Sequence, residues 1–330
     1  MGKFTSRAGL LGAAVIAMTS AGLPNAASAQ DGITVALGDI ASIESLNLLI
    51  ALEGVRERGI EVELIEFGGE DMANQAIVNG QADVGVGAPY AIIQRAEVPI
   101  RMFYQLSTLR FFAVANGEVY PDWQAMDGGA FAVHTRGSGT EAMARLIEQV
   151  EGIQFGEISY VPGSDVRTLA LLRGNVDATF LDIAGRNLVM EEDPEKFVML
   201  EVPDVDASDE TLFARLDWLQ ENEETVQVLI EELTETWRQI NEDPSFVAAE
   251  RERLGLLPDL PSELEEQIGP FFEQSVETGT FPNDGGVGSA ADDFEFFTVA
   301  GQLEGEPETL KVEDFWYFAP LERTLETMGE

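Results

Sequence analysis

The 330-residue sequence contains no cysteine and a single histidine. After residue 29 it also lacks any apolar run approaching the ~18 to 20 residues that a membrane span needs. The missing cysteine excludes disulfides, thiolate metal sites, a cysteine nucleophile and lipid attachment at a cysteine. His134 stands alone, without a matched acid or nucleophile in a recognisable motif, so its expected role is packing or hydrogen bonding, with contact to a ligand left open. No pattern calls for a cofactor, a metal ion or catalytic residues. Basic residues are scarce as well: 19 Lys and Arg stand against 60 Asp and Glu, a net charge of −41. Such a surface repels nucleic acid and anionic lipid. It speaks to solubility, as in a saline habitat, rather than to fold or site.

The first 29 residues read as a secretory leader. Lys3 and Arg7 form a positive start, Ala8 to Met18 is short and apolar, and Ala27-Ser28-Ala29 is a small-x-small cleavage pattern. Cleavage is expected before Gln30, leaving a soluble protein in the periplasm with a net charge of −43, since Lys3 and Arg7 are lost and no acid is.

One phrase occurs twice. Gly80-Gln81-Ala82-Asp83-Val84 and Gly174-Asn175-Val176-Asp177-Ala178 each end an amphipathic helix and begin an apolar strand. Around the first, Ile33–Leu37, Val62–Phe67 and Ala82–Val86 read as strands, with helices at Ser42–Arg58 and Asp71–Asn79 closed by Gly59 and Gly80. Consecutive βαβ units imply a parallel sheet covered on both faces. A strand at Ile100–Leu106 follows, and Phe111–Ala115 looks like a crossing into a second lobe with the same grammar. There Ala130–Val133, Ile158–Val161 and Val176–Leu181 read as strands, and Gly139–Val150 and Val166–Leu172 as helices. After a strand at Phe197–Glu201, Pro203–Ala207 carries the chain back, and helices are expected from Glu210 onward. Val226, Leu229, Leu233, Trp237 and Ile240 share one helix face. Asp83 and Asp177 sit at strand starts and are read as local backbone acceptors, outside any site.

These features resemble the periplasmic substrate-binding proteins of ABC importers. The resemblance rests on the leader, on Gly80-Gln81-Ala82-Asp83-Val84-Gly85, on Gly137-Ser138-Gly139-Thr140, on Val161-Pro162-Gly163-Ser164-Asp165 and on the second Asp phrase. The group is the nitrate, taurine, alkanesulfonate and thiamine-pyrimidine-precursor class, and the resemblance covers most of residues 31–205. It implies an α/β periplasmic binding protein fold of type II, with two lobes, two crossovers and a helical tail on lobe 1. The expected parts are a leader over 1–29, lobe 1 over 30–112 and 205–330, and lobe 2 over 113–204. It further implies a monomer without enzyme activity that closes by a hinge on a small anionic or zwitterionic organic molecule, such as a sulfonate, carboxylate or amino acid. The closed form would be presented to a membrane permease and its ATPase. Alternatives are a nitrogen heterocycle such as a thiamine pyrimidine precursor, a ligand-sensing partner of a membrane receptor, and an enzyme related to the eukaryotic pyrimidine synthase, which the absent cysteine disfavours.

Ligands of open α/β sheets bind beyond the carboxyl ends of strands, so the candidate residues follow them. Thr135, Arg136, Gly137, Ser138, Gly139 and Thr140 lead into a helix whose N-terminus is suited to a carboxylate or sulfonate, or is an ordinary capped end. Such an end contributes ~0.3 to 1 kcal/mol, up to ~2 when partly buried, whereas micromolar binding needs about 8 kcal/mol. Further groups are therefore required. Gly163 and Ser164 supply a second helix start, Ser107 and Thr108 lie at the crossing, and Ala88, Pro89 and Tyr90 come from the opposite lobe. Tyr90 is either an aromatic wall or lobe packing. Asp39, Glu44 and Asp182 complicate an anion, with Asp182 placed to accept hydrogen bonds from an amine, an amidine or a ring N–H. Asp71 and Asp165 are read as helix N-caps.

Overall fold

The computed structural model describes residues 32–329; the expected leader and its cleavage point lie outside the described residues. Two five-stranded sheets form the frame. The first contains β1 (Ile33–Leu37), β2 (Val62–Glu66), β3 (Val84–Gly87) and β4 (Ile100–Thr108). Its helices are α1 (Leu46–Glu57), α2 (Glu70–Val78) and α3 (Tyr90–Arg95). The second contains β5 (Phe112–Asn116), β6 (Ala130–Val133), β7 (Glu157–Tyr160), β8 (Ala178–Leu181) and β9 (Phe197–Leu200). Between its strands run α4 (Gly139–Glu151), α5 (Ser164–Leu172) and α6 (Ile183–Glu192).

The segment from Ser208 departs from the helical expectation. Ser208–Arg215 is a strand, β10, which returns to the first sheet and lies antiparallel between β3 and β4. Its Leu212, Phe213 and Ala214 are buried, as befits a strand with sheet on both sides. The polar start Ser208-Asp209-Glu210 hides that apolar run. The first sheet is therefore ordered β2-β1-β3-β10-β4 and the second β7-β6-β8-β5-β9. Each has three parallel strands followed by an inserted antiparallel one, β10 or β5, that the chain reaches by crossing from the other sheet.

The repeated phrase marks the same junction in both sheets. Gly80 and Gly174 take φ of 65° and 71°, the left-handed conformation that ends α2 and α5 without a Cβ penalty. The aspartates reach further than local donors. Asp83 Oδ2 accepts the Thr34 amide of β1 at 2.8 Å, and Asp177 Oδ1 accepts the Asn116 side-chain amide at 3.2 Å, so each ties its strand to a neighbour.

The tail comprises α7 (Leu216–Glu221), α8 (Glu223–Glu242), α9 (Ser245–Leu254), α10 (Ser262–Glu265), α11 (Ile268–Glu277), α12 (Ala290–Val299) and α13 (Ala319–Met328). The expected stripe of α8 is fully buried and packs with Leu48, Leu52 and Val55 of α1. Trp237 also donates its indole N–H to the Leu106 carbonyl at 2.8 Å. The tail is not confined to the first sheet. α11 meets α6 and α12 meets α4, with Gln302 Nε2 donating to the Ser138 carbonyl at 3.1 Å.

Candidate functional site

The carboxyl ends of β1, β4, β6 and β8 and the start of β10 converge between the sheets on a partly open cavity of about 90 Å³. Six carboxyl groups line it: Asp39 after β1, Glu44 before α1, Glu70 in the first turn of α2, Asp182 after β8, and Asp209 and Glu210 on β10. Phe111, Phe271 and Phe281 supply apolar wall, and Ser107, Thr108 and Thr280 supply hydroxyls.

The N-terminus of α4 is occupied by the chain's own groups. Ser138 is the N-cap and its Oγ accepts the Glu141 amide at 3.3 Å, while a Glu141 oxygen accepts the Gly137 amide at 2.7 Å. Thr140 Oγ1 accepts the His134 amide at 2.9 Å. Only the amides of Gly139 and Thr140 lack a partner within the helix by geometry. Asp209 lies beside this turn, since a Cβ built on Gly139 would lie 3.2 Å from its Oδ1.

Positive charge is scarce, and Arg167, which lines the cavity, faces Glu44, Asp39, Asp182 and Asp209. Buried Arg167 donates to the Phe180 carbonyl at 3.0 Å and the Val161 carbonyl at 3.1 Å. Arg110 is engaged by the carbonyls of Leu109, Val205 and Thr278 and by Asp206. His134 joins the two lobes. Its Nδ1 accepts the Gly163 amide at 3.2 Å, which leaves Nε2 to carry the proton toward the Gly38 carbonyl at 3.3 Å. Burial holds its pKa below the usual 6.5 against the pull of Asp39, with Arg167 adding to the depression.

The carboxyl groups respond in the opposite sense. Burial pushes Glu70 up to about 7, with Asp39 and Asp71 adding repulsion and the Ala88 amide, 2.9 Å from Oε2, opposing it. Asp209 rises to about 8, chiefly by burial and then by Glu70. Glu44 and Glu210 are raised well above the carboxylate range by burial and by their acidic neighbours. Asp182 is raised by burial, which outweighs the stabilising Gly185 amide and Arg167. Asp165, behind the wall, rises to about 7 for the same reason, with Asp182 and Asp39 adding to it.

Of the residues expected from sequence, Asp39, Glu44, Ser107, Thr108, Ser138, Gly139, Thr140 and Asp182 line the cavity. The others do not. Tyr90 is fully buried at the start of α3, stacked on Phe297 at 4.4 Å and hydrogen-bonded to Asp293 and Trp316. Ala88 and Pro89 are buried beside it, with the Ala88 amide on Glu70. Arg136 is exposed and lies over the Tyr160 ring at 4.9 Å. Thr135 and Gly137 belong to the capping turn. Gly163 and Ser164 form a supporting layer, Gly163 holding His134 and Ser164 Oγ accepting the Asp182 amide at 3.2 Å. Asp182 is also the N-cap of α6, accepting the Gly185 amide at 2.6 Å. Asp71 and Asp165 are not caps, because Gly69 and Gly163 hold those positions. Sequence reasoning missed Arg167, Asp209 and Glu210 and left Glu70 unassigned. For Glu70 the available signal was its place after the second strand's loop; for Arg167, nothing distinguishes it from a solvent-facing helical arginine.

Among curated proteins, none matches this chain. The fold has solved counterparts. A protein from Bordetella bronchiseptica RB50 superposes with a TM-score of 0.73 at 17% identity, covering 91% of this chain and 98% of its own. The periplasmic nitrate-binding protein NrtA from Synechocystis PCC 6803 gives a TM-score of 0.70 at 13% identity, over 90% of this chain and 89% of its own. The alkanesulfonate-binding protein SsuA from Xanthomonas axonopodis pv. citri, bound to MOPS, gives 0.61 at 14% identity, over 86% and 98%. This chain thus has the two-lobed periplasmic binding protein fold expected from its sequence. The profile of one family, NMT1/THI5 like, matches residues 55–246, more than half of the sequence, and the chain belongs to that family.

Proposed function

We propose that this protein is the periplasmic solute-binding component of an ABC importer, with residues 109–111 and 201–207 as the hinges between its lobes. The observation that carries this reading is the cavity between the two sheets, lined by residues from both. At about 90 Å³ it is smaller than the ~150 Å³ cavity that holds one benzene molecule, so the solute is small. Six carboxyl groups around that space weigh against a sulfonate, nitrate or simple carboxylate and favour a solute that brings N–H donors. The side-chain set offers hydrogen bonds and charge but no paired nucleophile and base, which supports capture without chemistry.

The test is a melting-temperature screen of the mature protein against pooled sulfonates, carboxylates, amines and pyrimidines, with turnover of each compound followed in parallel. A stabilising compound present at 100 times its dissociation constant adds about 2.7 kcal/mol. Stabilisation without turnover is expected, and turnover of the stabilising compound would contradict the transport reading.

A further inference from the structure

We propose that Arg110 is the pin of the interlobe hinge, a positioning residue whose guanidinium binds both crossing segments and the tail loop into one unit about which the second lobe turns. This rests on the solute-binding reading and adds to it the residue that sets how the lobes meet. The two sheets leave a gap at this point. The ladder of the first ends at the Ser208–Thr108 pair and that of the second begins at the Phe112–Leu181 pair, so residues 109–111 lie between them. On the way back β9 ends at Leu200 and β10 begins at Ser208, which leaves 201–207 outside both sheets. A backbone hydrogen bond from the Leu109 amide to the Ala207 carbonyl, 2.9 Å long, joins the two crossings.

Arg110 stands in the middle of the first crossing and spans the gap with its side chain. Nη1 donates to the Leu109 carbonyl at 2.7 Å and to the Val205 carbonyl of the returning segment at 2.9 Å, and Nη2 donates to Asp206 Oδ1 at 2.9 Å. Nε donates to the Thr278 carbonyl of the tail at 3.1 Å. A guanidinium presents its donors in a rigid planar fork, so four acceptors on three chain segments are held at fixed mutual positions, which a flexible ammonium does not achieve. The fork matters more than the charge. The Asp206 side chain is 73% exposed, and an ion pair so open to water contributes little. The pinned loop also belongs to the solute space, because the Thr280 carbonyl accepts the Thr108 amide at 2.9 Å and Thr280, Phe281 and Phe111 line the cavity beside Arg110. A solute pressing on that wall acts on the same unit that carries the hinge.

The experiment needs no solute. Spin labels at Glu63→Cys and Glu157→Cys, on the outer strands of the two sheets, report the interlobe distance of the free mature protein by pulsed electron resonance. Hydrogen exchange, followed well below the melting temperature, reports the Thr108 and Leu109 amides. Arg110→Met should widen the distance distribution by about half or more and speed exchange of those two amides about tenfold, while the strand amides of β3 and β8 stay protected. Arg110→Lys keeps the charge without the fork and should widen the distribution as well, whereas Asp206→Ala should leave it as in wild type. If Arg110→Met does not fold, the lysine variant carries the comparison. A wild-type width in Arg110→Lys would overturn the inference by making charge the cause, and so would a wild-type width in Arg110→Met. Hits in the melting-temperature screen with unchanged widths refute the pin alone; widened distributions with no hit support the pin and contradict the solute-binding reading.

Discussion

Replacing Glu70 with glutamine should stabilise the ligand-free protein at alkaline pH and do little in acid. Glu70 sits in the first turn of α2 with Oε2 accepting the Ala88 amide at 2.9 Å, and burial moves its pKa from 4.5 to about 7. Between those values the folded protein holds a proton that the unfolded chain has released. Stability therefore falls as pH rises from about 4.5 and levels off above about 7. Each pKa unit corresponds to about 1.4 kcal/mol, so the full shift is worth about 3 kcal/mol. Glu70 is half-buried at the cavity wall, and water admitted there screens the charge, so about 1–3 kcal/mol is the expected range. Glutamine retains an oxygen for the Ala88 amide and cannot ionise. Urea denaturation of wild type and Glu70→Gln at pH 5 and pH 8 reads the difference directly. The variant should gain about 1–3 kcal/mol at pH 8 and be near neutral at pH 5. A loss of equal size at both pH values would refute the reasoning, because it would mean that the carboxyl acts through its shape and not its charge.

Three other outcomes follow from the same geometry. Asp293→Ala removes the buried acceptor shared by Tyr90 OH, the Ser208 amide and Ser208 Oγ, which fixes the start of β10 to the tail; it should cost about 2–4 kcal/mol in denaturant unfolding. Gly85→Ala puts a methyl group onto the Phe213 ring of the adjacent strand, and a loss of about 1–3 kcal/mol is expected from thermal melts. In untagged protein His134 is the only histidine, so its imidazole proton resonances titrate without overlap. Their midpoint should fall below 6.5, since burial disfavours the charged ring, and stability should decline as pH drops toward that midpoint; a midpoint above 6.5 would mean that Asp39 dominates.

Through residue 181 most of the alternation of strands and helices was legible because the elements carry an apolar period and α1, α2 and α5 each end beside a glycine; α6, which ends at Asp193 without one, was not delimited. Gly59, Gly80 and Gly174 all take positive φ where the helices were expected to end. β10 was not legible: its partners β3 and β4 lie more than 90 residues away, and its first three residues look like a polar loop. The same reason hid Asp209 and Glu210 from the site. Tyr90 illustrates the limit of a local reading. It follows a strand's carboxyl end as a cleft residue should, but its surroundings are Asp293, Phe297, Phe315 and Trp316, some 200 residues downstream. That Asp209 lies beside the Gly-Ser-Gly-Thr turn follows from the return of β10 to the first sheet, which no local pattern shows.

The central claim, that the two lobes enclose a solute, is tested most directly by an interlobe distance. The absence of cysteine allows single spin labels at Glu63→Cys on β2 and Glu157→Cys on β7, exposed positions on the outer strands of the two sheets. Pulsed electron resonance should give a broad distance distribution for the free protein. It should give a single narrow one once a compound that stabilises the protein in the melting-temperature screen is added, and Asp182→Asn should shift that response to a higher concentration of the compound. A distribution unchanged by a compound that binds would contradict the account.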